Sequence, residues 1–396
     1  MLGGTVLQGL LPTFQHGPVA GTIGVSFLVF LRLLQGISAG GEIASVTTYI
    51  TEVCHPRVLA RTLVLMPITS NVGYFLAQLV SFGAEEFFGE DSMHSWGWRV
   101  PFLLAVFPGA LAALGRRSIP ESELFLEAKV QSSSSAVSKT RQLLASYWPQ
   151  IIVGFGAVAA VSVVLYGGMT WGLVSMKKKG LSSSFRILAG CGANSLVILM
   201  APLVGWVTDM RGAAWVQTFA GLCMAVVGMP LMMMIEWSVV YSPWSAVALY
   251  SLGYSLFGAF LMMHVLQVVE LFPVEVRNAG VGLSYNIGVC IFGGFAPMVF
   301  EAVSFTSWLP GLLLALSGLV TALTTLVSLR FQSMGKIQLT HLRHEPYFRC
   351  CGRESFPFPL AKKSGSTEPG QDACPHKKEG IQSVVEVEMN DLAVVT

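Results

Sequence analysis

Phe27-Leu-Val-Phe-Leu-Arg32-Leu-Leu-Gln35-Gly36-Ile-Ser-Ala-Gly40-Gly41-Glu42 lies within an apolar run, Ile23–Val46, that is long enough to cross a bilayer yet carries two charges. A membrane helix needs roughly 20 predominantly apolar residues. Arg32 is too deep in the run to be a loop residue. A charged side chain at the bilayer centre costs about 2.5–3.5 kcal/mol on insertion scales, so it is expected to face other helices and to have a partner. Arg32, Gly36 and Gly40 recur every four residues and share one helix face, where the glycines let a neighbouring backbone approach closely. Two readings stay open for Arg32: a buried cation that holds a substrate carboxylate or a proton-titrating acid, or half of a structural ion pair that fixes packing. Glu42 lies further along the same run and is either a proton carrier or the partner of a loop arginine, with the structural role favoured.

Similar runs fill the rest of the chain. Leu63–Phe82, Trp96–Gly115, Ile151–Val174, Ile187–Val207, Val216–Ile235, Ala246–Val269, Ala279–Val299 and Trp308–Leu329 are each bounded by charges, Gly, Pro or Ser. Charged residues make up 12 % of the chain and mean hydropathy is +0.64. A soluble domain carries about 25 % charged residues, so this chain lacks the surface a soluble fold needs, whereas apolar side chains can face hydrocarbon. The expected fold is an all-α polytopic membrane protein. The net charge of +2 is segregated into loops and shows no basic nucleic-acid surface. The cysteines have neither metal-ligand nor disulfide-framework spacing. Cys191, Cys223 and Cys290 are read as packing residues, and the Cys350–Cys351 pair is a weak candidate for palmitoylation. Without a Walker loop an ATP-driven pump is disfavoured. No catalytic pair stands out, so an enzyme is not expected, and neither is a metal or cofactor.

Residues 1–115 are expected to form an incomplete first bundle, 116–148 a polar linker, 149–330 a six-helix bundle and 331–396 a disordered tail. Arg57, Arg61, Arg116, Arg117, Lys129, Lys139, Arg141, Arg211, Arg277, Arg330 and Lys336 lie on one set of loops. By the bias of Lys and Arg toward the cytoplasm, that set, the linker and the C-terminus are expected to be cytoplasmic. The run Lys177–Lys179 lies on the opposite set and conflicts with this orientation.

An internal repeat supports two halves. Glu52-Val-Cys-His-Pro56, Arg61 and Asn71-Val-Gly73 match Glu270-Leu-Phe-Pro273, Arg277 and Asn286-Ile-Gly288. The offset drifts only from 218 residues (Glu52 to Glu270) to 215 (Asn71 to Asn286). Parallel repeats of this kind build two-bundle transporters. Mapped onto the second half, Ile23–Val46 becomes a fourth helix and Met1–Leu11 the remnant of a third, so the first two are expected to be missing.

Glu52, Arg61, Asp209, Arg211, Glu270 and Arg277 flank helix ends at the face expected to be cytoplasmic. They are read as gate ion pairs, against the alternative of solvated interfacial charge. His264 is a natural proton switch, although a lone membrane His is more often a packing residue; Gln267 lies beside it. Gln35, Asn71, Tyr74, Tyr166, Asn194, Tyr254 and Asn286 are polar groups on spans, each a candidate cavity residue or interhelical glue.

These residues resemble the major facilitator superfamily, in its metabolite:proton symporter branch of proline/betaine, α-ketoglutarate, citrate and shikimate carriers. Arg32-Leu-Leu-Gln35-Gly36-Ile-Ser-Ala-Gly40-Gly41-Glu42 resembles that branch's fourth-helix signature. Gly9-Leu-Leu-Pro12, Trp98-Arg99-Val-Pro101-Phe102, Pro120-Glu121-Ser122 with Phe125, and Glu270-Leu-Phe-Pro273 with Arg277 and Gly280 resemble its other landmarks. Together they extend from about Gly9 to Leu329. The resemblance implies a pair of helical bundles with about ten of twelve transmembrane helices present, and alternating access with solute entry coupled to protons. It also implies that Arg32 works with an acid on the first helix, which has no counterpart here. Gly205-x-x-x-Asp209-x-x-Gly212 echoes the family's latch, with Met210 where an Arg is usual. The sugar-porter branch shares Arg32-x-x-x-Gly36 and Pro120-Glu121-Ser122, but its Gln-Gln signature is absent from Ile151–Val174. The expected partners are thus a small organic acid or zwitterionic osmolyte, protons and the lipid bilayer of the plasma membrane, with no nucleic acid and no obligate protein partner. A sugar-porter-like carrier and a truncated, non-transporting membrane protein or sensor are the alternatives.

Overall fold

A backbone N–H or C=O in hydrocarbon must find its partner within the protein, so a chain this apolar is driven to form helices. The computed structural model describes residues 2–116, 141, 143–306 and 308–335, all within one compact unit, Met1–Gly352. Most of the linker, the Cys350–Cys351 pair and the tail beyond Gly335 lie outside the described residues. Ten helical segments follow in order: α1 (Leu2–Gly9), α2 (Pro18–Val53), α3 (Leu59–Gly89), α4 (Ser95–Gly115), α5 (Trp148–Lys178), α6 (Ser183–Arg211), α7 (Ala213–Tyr241), α8 (Pro243–Glu270), α9 (Arg277–Val303) and α10 (Trp308–Ser333). Nine of them, α2 to α10, are long and apolar enough to cross a membrane. Each of the nine full-length apolar runs read from the sequence lies inside one of α2 to α10, and the short Met1–Leu11 run contains α1.

The turns follow from local chemistry. Gly17 and Pro18 open α2, and the residue pair Cys54 and His55 leads into Pro56 after it. Gly212, at φ 87°, ends α6 and begins α7 without any intervening loop. Two helices depart from α geometry along their length: α5 winds as a π-helix over Val163–Trp171 and α9 over Val289–Gly294. These wide turns pack against one another.

In the second bundle α7 packs on α10, α6 on α8, and α5 on both α9 and α10. Burial separates the helices: the apolar windows of α5 and α8 are 72 % and 78 % buried, those of α2 and α3 only 17 % each. The core is therefore that of the second bundle, and the first bundle leaves most of its apolar surface uncovered. The bundles meet where α3 packs on α6 and α2 on α9, and the end of α8 touches both α2 and α3; Leu59, Leu63 and Val64 of α3 share an apolar core there with residues of α6, α7 and α8.

The run Lys177–Lys179, which conflicts with the charge bias, is neutralised at the end of α5. Lys179 pairs with Glu236 of α7 at 2.9 Å. Lys178 pairs with Glu301 of α9, whose other oxygen accepts a hydrogen bond from Trp171 Nε1 at 2.9 Å. Two of the three lysines are thus committed to acids.

Candidate functional site

The seam between the bundles closes at the end where α3 begins and α6 finishes. The first N–H groups of a helix have no partner within it, and those of α3 find one on the opposite bundle. Asp209 Oδ1 accepts from Ala60 N–H at 2.9 Å, and Oδ2 from Arg61 N–H at 3.3 Å and Arg61 Nε at 2.7 Å. The carboxylate also sits at the positive end of the helix dipole. Its side chain is 3 % exposed, that of Arg61 46 %. Gly205, one turn before Asp209, permits the approach, because a Cβ there would stand 3.1 Å from Arg61 Cα.

A second charged contact lies at the same end. Arg277, the first residue of α9, is 4 % exposed and donates from Nε to Phe272 O at 3.2 Å. A guanidinium so buried needs acids nearby, and Glu52 at the end of α2, Glu270 and Glu275 supply them. Glu270 is 2 % exposed. The alternative of solvated interfacial charge therefore fails for Arg277, Glu270 and Asp209. Arg211 is exposed and lies over the Trp215 ring at 5.4 Å.

Further along the seam the repeat residues take equivalent roles. Asn71 Nδ2 donates to Pro67 O at 2.8 Å and Asn286 Nδ2 to Gly282 O at 2.6 Å, each one turn back. Asn286 occupies the space that Gly40 leaves, since a Cβ at Gly40 would come within 2.5 Å of its side chain. Asn194 Nδ2 donates to Gln78 Oε1 at 3.3 Å between α6 and α3. Tyr74, one turn beyond Asn71, lies beside Tyr166 of α5, and both are near Tyr285 of α9. The Tyr285 ring stacks on His264, with centroids 5.7 Å apart and planes at 18°. His264 is 5 % exposed. Its Nδ1 bonds to Leu261 O at 2.8 Å, while its buried Nε2 has no hydrogen-bond partner among the described residues.

Other expected site residues are placed elsewhere. Gln35 accepts from Gln8 Nε2 at 2.9 Å and donates to Thr5 Oγ1 at 2.8 Å, so it ties α2 to α1. Gln267 is fully buried between Ser328 and Thr325 of α10. Glu42 is half-buried on α2. Tyr254 is buried inside the second bundle, bonded to Met232 Sδ. Arg32 departs from the expectation of burial: it is exposed, one position on from the buried Leu31, and no ion pair or hydrogen bond reaches it among the described residues. Gly36 faces open space too, so of the two glycines only Gly40 is in a close contact. Tyr285 and Gln78 were not singled out from the sequence, although Tyr285 adjoins the repeat residue Asn286.

Two helical bundles that meet along a seam with cross-bundle carboxylates define a polytopic helical membrane protein with the major facilitator fold. Solved structures agree on that fold. The major facilitator proton:xylose symporter bound to 6-bromo-6-deoxy-D-glucose superposes with a TM-score of 0.63 at 15 % identity, covering 84 % of this chain and 79 % of that one. A D-xylose-proton symporter gives 0.58 at 19 % identity, covering 81 % and 78 %. Residues 6–148 match the sugar (and other) transporter family. Among curated relatives, the ectoine/proline transporter of Corynebacterium glutamicum is 27 % identical over 75 % of this chain and 60 % of its own length. The citrate-proton symporter of Salmonella typhi is 28 % identical over 76 % and 68 %, and the alpha-ketoglutarate permease of Escherichia coli 27 % identical over 76 % and 67 %. These curated relatives are carriers of the kinds the sequence resemblance named, whereas the family model and the solved structures are those of sugar transporters. The chain spans between three fifths and about two thirds of the length of these relatives.

Proposed function

We propose that the protein is a secondary carrier that moves a small organic acid or zwitterionic osmolyte by proton-coupled symport and alternating access. The observation that carries this is Asp209 holding the start of α3 across the seam. Hydrogen bonds and an ion pair at one end of a two-bundle protein can break and re-form, and the apolar side chains of Leu59, Leu63 and Val64, which share a core with Val197, Ala201 and Val204, must part with them. The buried Arg277 beside Glu52 is read as a second element of the same gate. Asn71, Tyr166, His264 and Asn286 are assigned to the solute path. Gln35 and Glu42 serve as packing groups of α2, and Arg32 as the cation available to a carboxylate or titrating acid.

The closed end is assigned to the cytoplasm, together with the C-terminus, and the membrane to the cell surface, on the distribution of Arg and Lys. Proton-driven uptake into proteoliposomes tests the function. Accumulation of a labelled proline, betaine, citrate or α-ketoglutarate that a protonophore abolishes is the expected result; absence of uptake by folded protein refutes it. A sugar carrier is the second reading, favoured by the match of residues 6–148, and uptake of xylose alone would establish it.

A further inference from the structure

We propose that Glu85 latches the other end of the α3–α6 seam by holding the first turn of α6, and that this latch is the weaker of the two, so that the end opposite Asp209 opens first. Its role as a gate rests on the carrier function proposed above.

α3 and α6 run antiparallel, and each ends beside the start of the other. Asp209, near the end of α6, holds the first N–H groups of α3. Glu85, near the end of α3, meets Ser183, the first residue of α6. The Ser183 hydroxyl donates to Oε1 and Oε2 of Glu85 at 3.3 Å each. Both carboxylates thus lie at the positive end of the opposite helix's dipole.

The two closures differ in strength. The bond from Arg61 Nε to Asp209, at 2.7 Å, has the length of a charge-assisted N–H···O bond, about 2.7–2.9 Å. Beside it, Leu59, Leu63 and Val64 share an apolar core with Val197, Ala201 and Val204, so parting this end exposes apolar surface to water. At the far end one hydroxyl is shared between two oxygens. Its distance exceeds the about 2.5–2.7 Å usual for an O–H donor on a carboxylate. Glu85 and Ser183 are only half-buried, so water can replace either partner. Gln78 marks the boundary between the two regimes. It accepts from Asn194 Nδ2 at 3.3 Å, and its side chain fills the space over Gly190, where a Cβ would stand 2.8 Å from Nε2. The α3 residues in or against the apolar core run from Leu59 to Ile68, all on the Asp209 side of Gln78.

Spin labels at Glu86 and Ser182, exposed neighbours of the latch, read the far end; labels at His55 and Met210 read the near one. Both pairs are placed in the full chain with its own cysteines replaced by alanine, in liposomes without solute. The far pair is expected to show a long distance beside a short one, and the near pair a short one alone. Glu85→Gln should raise the long-to-short ratio of the far pair about tenfold, the equivalent of one charge-assisted hydrogen bond. Ser183→Ala, which removes the donor, should do the same, and both should leave the near pair unchanged. A far pair indifferent to both substitutions overturns the latch, as does an effect of Glu85→Gln that Ser183→Ala fails to reproduce. A long distance at the near pair and none at the far pair overturns the order of opening. Because the distances are read without solute, their expected pattern in protein that takes up no solute refutes the carrier function and leaves the latch standing as a structural contact.

Discussion

Asp209, at the end of α6, reaches across the seam to the start of α3, where its Oδ2 lies 2.7 Å from Arg61 Nε. The same carboxylate accepts from two backbone N–H groups, so its function depends less on the arginine than on its own charge. Charge-assisted hydrogen bonds each contribute about 1.5–3 kcal/mol. Asp209→Asn should therefore open this end substantially, and Arg61→Gln should open it less, because the backbone bonds survive. Labelling of an Ala60→Cys reporter by a hydrophilic maleimide checks this: about tenfold faster in the Asp209→Asn background, at the 1.4 kcal/mol per decade of an equilibrium constant. Equal rates in both backgrounds would contradict it.

Arg277 is buried beside Glu52, Glu270 and Glu275. Deleting one partner of a buried ionic group costs about 3–5 kcal/mol, because the other charges stay buried and uncompensated. Arg277→Ala should lower the melting temperature in detergent sharply. Adding Glu270→Gln should restore part of the loss, as removal of a second charge relieves the first. A double variant no more stable than the single one would show that the acids are compensated elsewhere.

Gly40 and Asn286 form a steric pair. An alanine methyl at 40 would overlap the Asn286 side chain at 2.5 Å, and closely packed helices do not give way without cost. Gly40→Ala is expected to abolish uptake, and Gly40→Ala with Asn286→Ala to recover it in part if Asn286 acts mainly by shape. Recovery of packing, read as melting temperature, without recovery of uptake would assign Asn286 to solute binding.

The two lysine pairs at the far end differ in burial. Glu236 is 9 % exposed beside Lys179, whereas Lys178 and Glu301 are 55 % and 46 % exposed. Exposed pairs contribute about 0–1 kcal/mol, so Lys178→Met should leave stability nearly unchanged, while Lys179→Met leaves Glu236 without its partner and should destabilise clearly. Thermal denaturation of the two variants decides between them.

The spans were legible because apolar length is a local property, and Leu59–Gly89 or Trp148–Lys178 announce themselves as runs. The π-helical turns within Val163–Trp171 were not, since a continuous apolar run does not encode where a helix widens. Partnerships were the least legible feature. Asp209 and Arg61 are 148 residues apart in sequence, and Lys178 and Glu301 are 123 apart, so neither pairing could be read from local sequence. The repeat related Asn71 to Asn286, and each donates to the carbonyl one turn back on its own helix. Arg32 shows the limit of an argument from cost alone: depth in the helix was legible, but which face of α2 is covered is a tertiary fact.

Alternating access is tested most directly by the distance between spin labels at His55 and Met210, exposed positions on opposite sides of the Asp209 contact. In liposomes, without solute and proton gradient, a single short distance is expected. With transported solute and an imposed proton gradient, a second and longer distance should appear, and Asp209→Asn should populate it without solute. One unchanged short distance under every condition, in wild type and variant alike, would contradict a seam that opens.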